Sequence, residues 1–159
     1  MSKLGILVVI VIILGASLYL LRRNDNTPKI DSLPSPTPSI EGRIESAFNT
    51  TIPDDVEKTE LKDVSGGTGS GIATRKLQSN LYTYTFLVDL PDPSDNLFYE
   101  AWIVKDNENI SLGKLVVAKG GWMIESQTRS LDYNTVIVTE EKVYDKSPEK
   151  KLLEAQFRL

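Results

Sequence analysis

Leu4 to Leu21 reads LGILVVIVIILGASLYLL, with no charged side chain. As a helix it is long enough to cross the ~30 Å hydrocarbon layer of a bilayer. In lipid every backbone polar group must be satisfied within the segment, so the stretch predicts a single transmembrane helix and takes itself out of any water-facing core. Lys3 bounds it on one side, Arg22 and Arg23 on the other. A cleaved signal peptide would carry a shorter apolar run, ~7–15 residues, ending in a small-x-small site. Here the only small cluster is Gly15-Ala16-Ser17, with Leu14 in the position that should be small, and further apolar residues come after it. The expectation is an uncleaved anchor with the lipid bilayer as its partner and a short tail, Met1-Ser2-Lys3, ahead of it.

Two signals on orientation conflict. The Arg22-Arg23 pair favours a cytoplasmic location for the chain beyond the span. The next segment favours the opposite side: Asn24 to Ser39 holds Pro28, Pro34, Pro36 and Pro38 among Ser, Thr, Asn and Asp. Such a stretch extends as a semi-stiff spacer, the composition of stalks that hold domains off an outer membrane surface. Ile40, Ile44 and Phe48 then recur at i, i+4 and i+8, which predicts a short amphipathic helix over Ser39–Asn49 despite Gly42. Residues 22–54 therefore read as stalk with a short helix, and 55–159 as the folded domain.

That domain reads as all-β. Asp54-Asp55 opens a charged run, Val56 to Val64, with weak alternation, and Ser65 to Gly71 is a glycine-rich loop. Ile72–Leu77 is a candidate strand. In Leu81–Leu90, Tyr82, Tyr84, Phe86, Val88 and Leu90 alternate with Thr83, Thr85 and Asp89, the period of a half-buried strand. Phe98–Lys105, holding Trp102 and Ile103, predicts a central strand buried on both faces. Ser111–Val117 and Trp122–Gln127 predict strands joined by Lys119-Gly120-Gly121, a hairpin signal. Thr135–Glu140 is rich in β-branched residues, Lys142 to Lys151 is a charged loop, and Leu153, Ala155, Phe157 and Leu159 alternate in a closing strand. Short strands at ~8–12-residue spacing with Pro, Asp, Asn and Gly between them predict an antiparallel β-sandwich of about 7–8 strands.

Composition narrows the chemistry. The 159 residues contain neither cysteine nor histidine, so no disulfide, thiolate metal site or lipoprotein cysteine is available, and the commonest general base and transition-metal ligand is missing. Net charge is −4 with both signs interspersed, unlike the basic, aromatic-laced stripe of a nucleic-acid binder.

The remaining motifs have bland explanations. Gly66-Gly67-Thr68-Gly69-Ser70-Gly71 lacks the helix and the Lys-Ser/Thr ending of a phosphate loop. Ser94-Asp95-Asn96 and Ser147-Pro148-Glu149-Lys150 match two elements of the penicillin-recognising serine enzymes, but in reversed order, without the third element, and in turns. Asp89, Asp92, Asp95 and Glu100 are hard oxygen ligands around one turn without the spacing of a calcium loop. Glu140-Glu141 and Asp145 lack the cleft that would set paired carboxylates apart in acidity. Tyr99, Trp102 and Trp122 form either a stacking platform or core. No catalytic, cofactor-binding or metal-binding residue is assigned, and the chain is expected not to be an enzyme.

The ordered series Gly71-Ile72-Ala73, Leu90-Pro91-Asp92-Pro93, Tyr99-Glu100-Ala101-Trp102-Ile103-Val104, Ser111-Leu112-Gly113-Lys114-Leu115 and Val138-Thr139-Glu140-Glu141 resembles the extracytoplasmic C-terminal domain of anti-sigma-K-type factors. Pro148 and Leu152–Leu159 stand where that family has a Pro-containing loop and a closing strand. The resemblance covers roughly Gly69 to Leu159 and implies a β-sandwich displayed outside a bacterial-type membrane, with no catalytic residues to inherit. Full members carry a cytoplasmic helical domain before the span, where this chain has Met1-Ser2-Lys3, so direct sigma-factor binding is not implied. The expected function is a sensor or accessory of envelope signalling that acts by protein or ligand contact, its envelope partner unknown. The alternative is a structural or adhesive surface module.

Overall fold

The computed structural model describes residues 38–130 and 132–158. The expected anchor, Leu4–Leu21, and the stalk up to Thr37 lie outside the described residues. Among the described residues no helix is long and apolar enough to cross a membrane.

Among the described residues one helix, α1 (Ile40–Phe48), precedes nine strands. The Ser39 hydroxyl caps its start by accepting from the Gly42 amide at 3.1 Å, and Asn49 ends it in the left-handed conformation at φ 51°. The Glu45 carboxylate then accepts from the Ile52 amide at 2.7 Å and turns the chain back onto the domain. The i, i+4, i+8 stripe does what its spacing predicts: Ile44 and Phe48 are buried, each contributing about 1.5–3 kcal/mol of apolar burial.

The strands are β1 (Glu57–Asp63), β2 (Ser70–Gln78), β3 (Leu81–Asp89), β4 (Phe98–Lys105), β5 (Glu108–Lys114), β6 (Val116–Ala118), β7 (Gly121–Thr128), β8 (Thr135–Glu141) and β9 (Lys150–Gln156). They form one antiparallel sheet in the order β5-β4-β8-β9-β1-β2-β3-β7-β6. The antiparallel all-β class is as expected. The hydrogen bonding is continuous across all nine strands, and the sheet curls into a nearly closed barrel.

The two ends of that order are halves of one stretch of chain. β5 pairs with β4, β6 pairs with β7, and only Leu115 separates them. Gly113, at φ +118°, makes the bend, a backbone region that L side chains rarely adopt. The Leu115 amide donates to the Tyr99 carbonyl at 2.8 Å and fixes the corner. The single strand expected over Ser111–Val117 is therefore a bent one that changes partner midway.

The curl separates two apolar clusters. Tyr84, Phe86 and Val88 from β3, Tyr99 and Ile103 from β4, and Leu153 from β9 lie among those filling the inside. On the outer face, Ile72 and Leu87 join Ile44, Phe48 and Ile52 beneath α1. Leu87 thus sits on the face that alternation assigns to Thr83, Thr85 and Asp89, because a helix covers that part of the sheet. The β6–β7 turn also lies under α1. A Cβ on Gly120, whose φ is +91°, would collide with the Ala47 carbonyl oxygen.

β1 occupies the charged run that shows only weak alternation. Its one fully buried apolar residue is Leu61, and it pairs with β2 along six residues but with β9 along two. β9 begins at Lys150, inside the expected charged loop, because Lys150 and Lys151 pair in register with Glu140 and Thr139.

Candidate functional site

The glycine-rich loop binds an anion, and the anion is internal. Asp63, at the end of β1, accepts from the Ser65 amide (2.9 Å), the Ser65 hydroxyl (3.1 Å), the Gly67 amide (2.8 Å) and the Gly69 amide (3.2 Å). Burial works to raise the Asp63 carboxyl, but these donors outweigh it and hold it below the usual range. Donors that a phosphate would need are engaged by the chain's own carboxylate.

The loops 90–97 and 142–149 lie at one end of the barrel, since Phe98 pairs with Glu141. Ser94-Asp95-Asn96 and Ser147-Pro148-Glu149-Lys150 therefore share an end. Lys150 bonds the Glu140 carboxylate at 2.9 Å, and the Ser147 amide caps Asp145 at 2.7 Å. Asp89 faces Arg43 at 4.0 Å, and Asp92 and Asp95 lie in the 90–97 loop, while Glu100 is buried on β4. Among the described residues no three acidic side chains are grouped to hold a metal ion.

Of the acidic pair Glu140-Glu141, only Glu141 is fully buried, and both its oxygens accept from the Glu149 amide at 3.0 and 3.2 Å. The three aromatics do not form one platform. Tyr99 and Trp122 pack edge to face inside the barrel, 5.2 Å between centroids at 89°, and the Tyr99 hydroxyl donates to the Pro91 carbonyl at 2.9 Å. Trp102 points to the opposite face of β4, buried, its indole N–H on the Thr139 hydroxyl at 2.8 Å.

Two polar constellations escape sequence reasoning. At the barrel end opposite the glycine loop, Arg75 points inward from β2, 6% exposed. Its Nε bonds Glu57 at 2.6 Å, and one terminal nitrogen bonds the Tyr133 carbonyl (3.1 Å) and Asn134 Oδ1 (2.9 Å). The guanidinium also lies over the Phe157 and Tyr82 rings at 4.4 and 5.2 Å. It is a plug held from all sides, with the contacts of a structural arginine.

The other lies on the outer face of β4, at the loop end. Glu100 is fully buried: Oε1 accepts from the Ser111 hydroxyl, and Oε2 has no partner among the described residues. Burial pushes its carboxyl above the ordinary range. The Ser111 hydrogen bond and the charge of Lys114 work against that, and Glu141 and Asp145 add to it. Lys114, opposite Glu100 in register, places its ammonium 3.7 Å from the Phe98 ring centroid and 5.0 Å from that of Tyr144.

A groove opens where β1 and β9 part, lined by Glu57, Lys58, Glu60, Glu154 and Arg158 among others. Its charges alternate in sign and select no ligand class. A comparison with known protein families, curated proteins and solved structures finds no match.

Proposed function

We propose that this chain is a non-enzymatic, single-pass membrane protein whose β-domain stands on the extracytoplasmic side and acts by protein or ligand contact. In this reading Leu4–Leu21 is the anchor, the Pro-rich segment is the spacer, and the curled sheet is a sandwich-like module. By the resemblance of its ordered sequence motifs we liken it to the extracytoplasmic domain of anti-sigma-K-type factors, as a sensor or accessory of envelope signalling.

The observation that carries the contact reading is at the loop end. Tyr144 and Val143 are 60% and 54% exposed there, side by side on a loop whose polar neighbours Asp145 and Glu149 make hydrogen bonds within it. Exposed apolar side chains grouped on one loop mark contact surfaces more often than chemistry.

The test is chemical cross-linking of the full chain in intact cells with a photoreactive residue at position 144. A discrete envelope adduct absent from a position-77 control supports the contact reading. Leu77 is also exposed, so equal labelling at both positions would overturn it.

A further inference from the structure

We propose that the groove between the end of α1 and the β3–β7 face is a binding site for a neutral saccharide that carries an N-acyl group. The site shares no residue with the Val143–Tyr144 loop, so the inference goes beyond the contact reading above.

The register builds the floor. On the outer face Leu87 stands opposite Met123, and one pleat along the sheet Thr74, Thr85 and Glu125 form a row across β2, β3 and β7. Phe48 and Ile52 bring apolar surface from the end of α1, and Asn49 and Lys119 stand among the remaining lining. The cavity measures about 480 Å³, within the ~300–1,000 Å³ of small-molecule sites. Its deeper side chains, Phe48, Ile52, Thr74 and Leu87, are buried, while Asn49, Lys119 and Glu125 are exposed. The mouth therefore opens to water.

The second observation is independent of the cavity's size. Thr74 is only 9% exposed, lines the groove, and its hydroxyl has no hydrogen-bond partner among the described residues. The side chains of Thr85, Asn49, Lys119 and Glu125 likewise make no hydrogen bond or ion pair among the described residues. Buried polar side chains are nearly always paired. Here one buried hydroxyl and four neighbouring polar groups converge on the same empty space with their hydrogen bonds unspent.

The lining selects the class of guest. A purely apolar molecule would strip water from Thr74 and Thr85 and leave their hydroxyls unpaired, which is unfavourable. An ion of either sign meets both charges, since Lys119 and Glu125 are the two charged residues of the lining and cancel. A neutral sugar suits both halves of the groove. Its hydroxyls give and accept hydrogen bonds as threonine hydroxyls do, and its C–H faces cover apolar side chains. The apolar side formed by Phe48, Ile52, Leu87 and Met123 has room for the methyl of an N-acyl group, and the carboxamide of Asn49 offers both a donor and an acceptor to the acyl amide.

The experiment uses the full chain in phosphatidylcholine nanodiscs with methyl-labelled methionine, since Met1 and Met123 are its two methionines. The NMR signals are followed during titration with diacetylchitobiose, with cellobiose, a disaccharide without acyl groups, and with leucine, an apolar zwitterion. The proposal expects a saturable shift of the Met123 methyl with diacetylchitobiose while Met1 stays still, and binding of cellobiose about fivefold weaker. Thr85→Val keeps the side chain's shape, removes its hydroxyl and should weaken binding about fivefold. Thr83→Val, whose hydroxyl accepts from Gln127 outside the groove, should leave it unchanged. A Met123 methyl that does not move, or that moves with leucine and not with the disaccharide, would overturn the site. Undiminished binding by both Thr74→Val and Thr85→Val would overturn the hydroxyl row, and equal affinity for the two sugars would overturn the acyl group. None of these outcomes touches the position-144 cross-link, so the two readings fail separately.

Discussion

Replacing Arg75 with alanine removes the plug of the barrel. Three hydrogen bonds are lost, to Glu57, the Tyr133 carbonyl and Asn134. A charged donor in such a setting contributes ~1–2 kcal/mol per bond, and the stacking on Phe157 and Tyr82 about 1 kcal/mol more. Glu57 is half exposed and regains water, which offsets part of the loss. The buried Tyr133 carbonyl contact and the volume of the side chain are not recovered. The net cost is about 3–5 kcal/mol, the sum of these losses less what Glu57 recovers. For a domain of this size that is a fall in Tm of roughly 10–20 °C. Arg75→Met refills much of the space but loses the same three hydrogen bonds, so it should recover only about 1–2 kcal/mol of the alanine variant's loss.

The assay is thermal unfolding of the full chain in detergent, monitored by the fluorescence of Trp102 and Trp122, the protein's two tryptophans. Both lie in the sheet, so the signal reports the barrel. A loss below about 1 kcal/mol for Arg75→Ala would refute the claim that the guanidinium's contacts hold this end closed. So would an Arg75→Met variant as stable as the wild type, since volume alone would then hold this end closed.

Glu100 is raised in the folded state by burial first. Its contribution to stability is therefore full below the ordinary Glu value of ~4.3 and is lost as pH rises through the folded value. Glu100→Gln should flatten that part of the stability–pH curve, and an unchanged slope in denaturant titrations would remove Glu100 as its source. Asp63 runs the other way: its folded value is depressed, so its support is present above the ordinary Asp range and is lost as pH falls through the folded value. Amide exchange at Gly67 and Gly69 should quicken across that acid window in wild type and be fast at neutral pH in Asp63→Ala. Gly120→Ala, strained at φ +91° and in collision with the Ala47 carbonyl, should cost about 2–4 kcal/mol in the same unfolding assay. A neutral result would mean that the turn and α1 are not in contact.

The sequence shows most strands through their alternation. Tyr82, Tyr84, Phe86 and Val88 line the interior as period two requires, and β4 is buried on both faces from Tyr99 to Ile103, Glu100 included. The helix is legible in Ile40, Ile44 and Phe48, but its seat over Leu87 and Ile72 is not, because an outer-face leucine gives no local sign of a covering element. β1 is nearly invisible: a barrel strand whose inward residues are Glu57, Thr59, Leu61 and Asp63 carries one apolar residue, and its place depends on Arg75 across the sheet. The bend at Gly113 reads as ordinary strand sequence, since a change of pairing partner leaves no periodic trace.

The candidate sites show the same division. The glycine loop signals anion binding by its donors, but only the fold supplies Asp63 as the anion. Glu100, Lys114, Phe98 and Tyr144 are spread over three segments; register sets Lys114 beside Glu100, and the loop after β8 brings Tyr144 to Phe98.

The measurement closest to the central claim is topology: protease treatment of intact cells expressing the full chain with a tag after Leu159. An anchored, extracytoplasmic contact domain predicts that the tag is digested without lysis. A tag that survives in intact cells and is cut only after lysis, with an internal folded marker behaving alike, would place the domain inside. The Arg22-Arg23 signal would then have set the orientation, and envelope sensing would be contradicted.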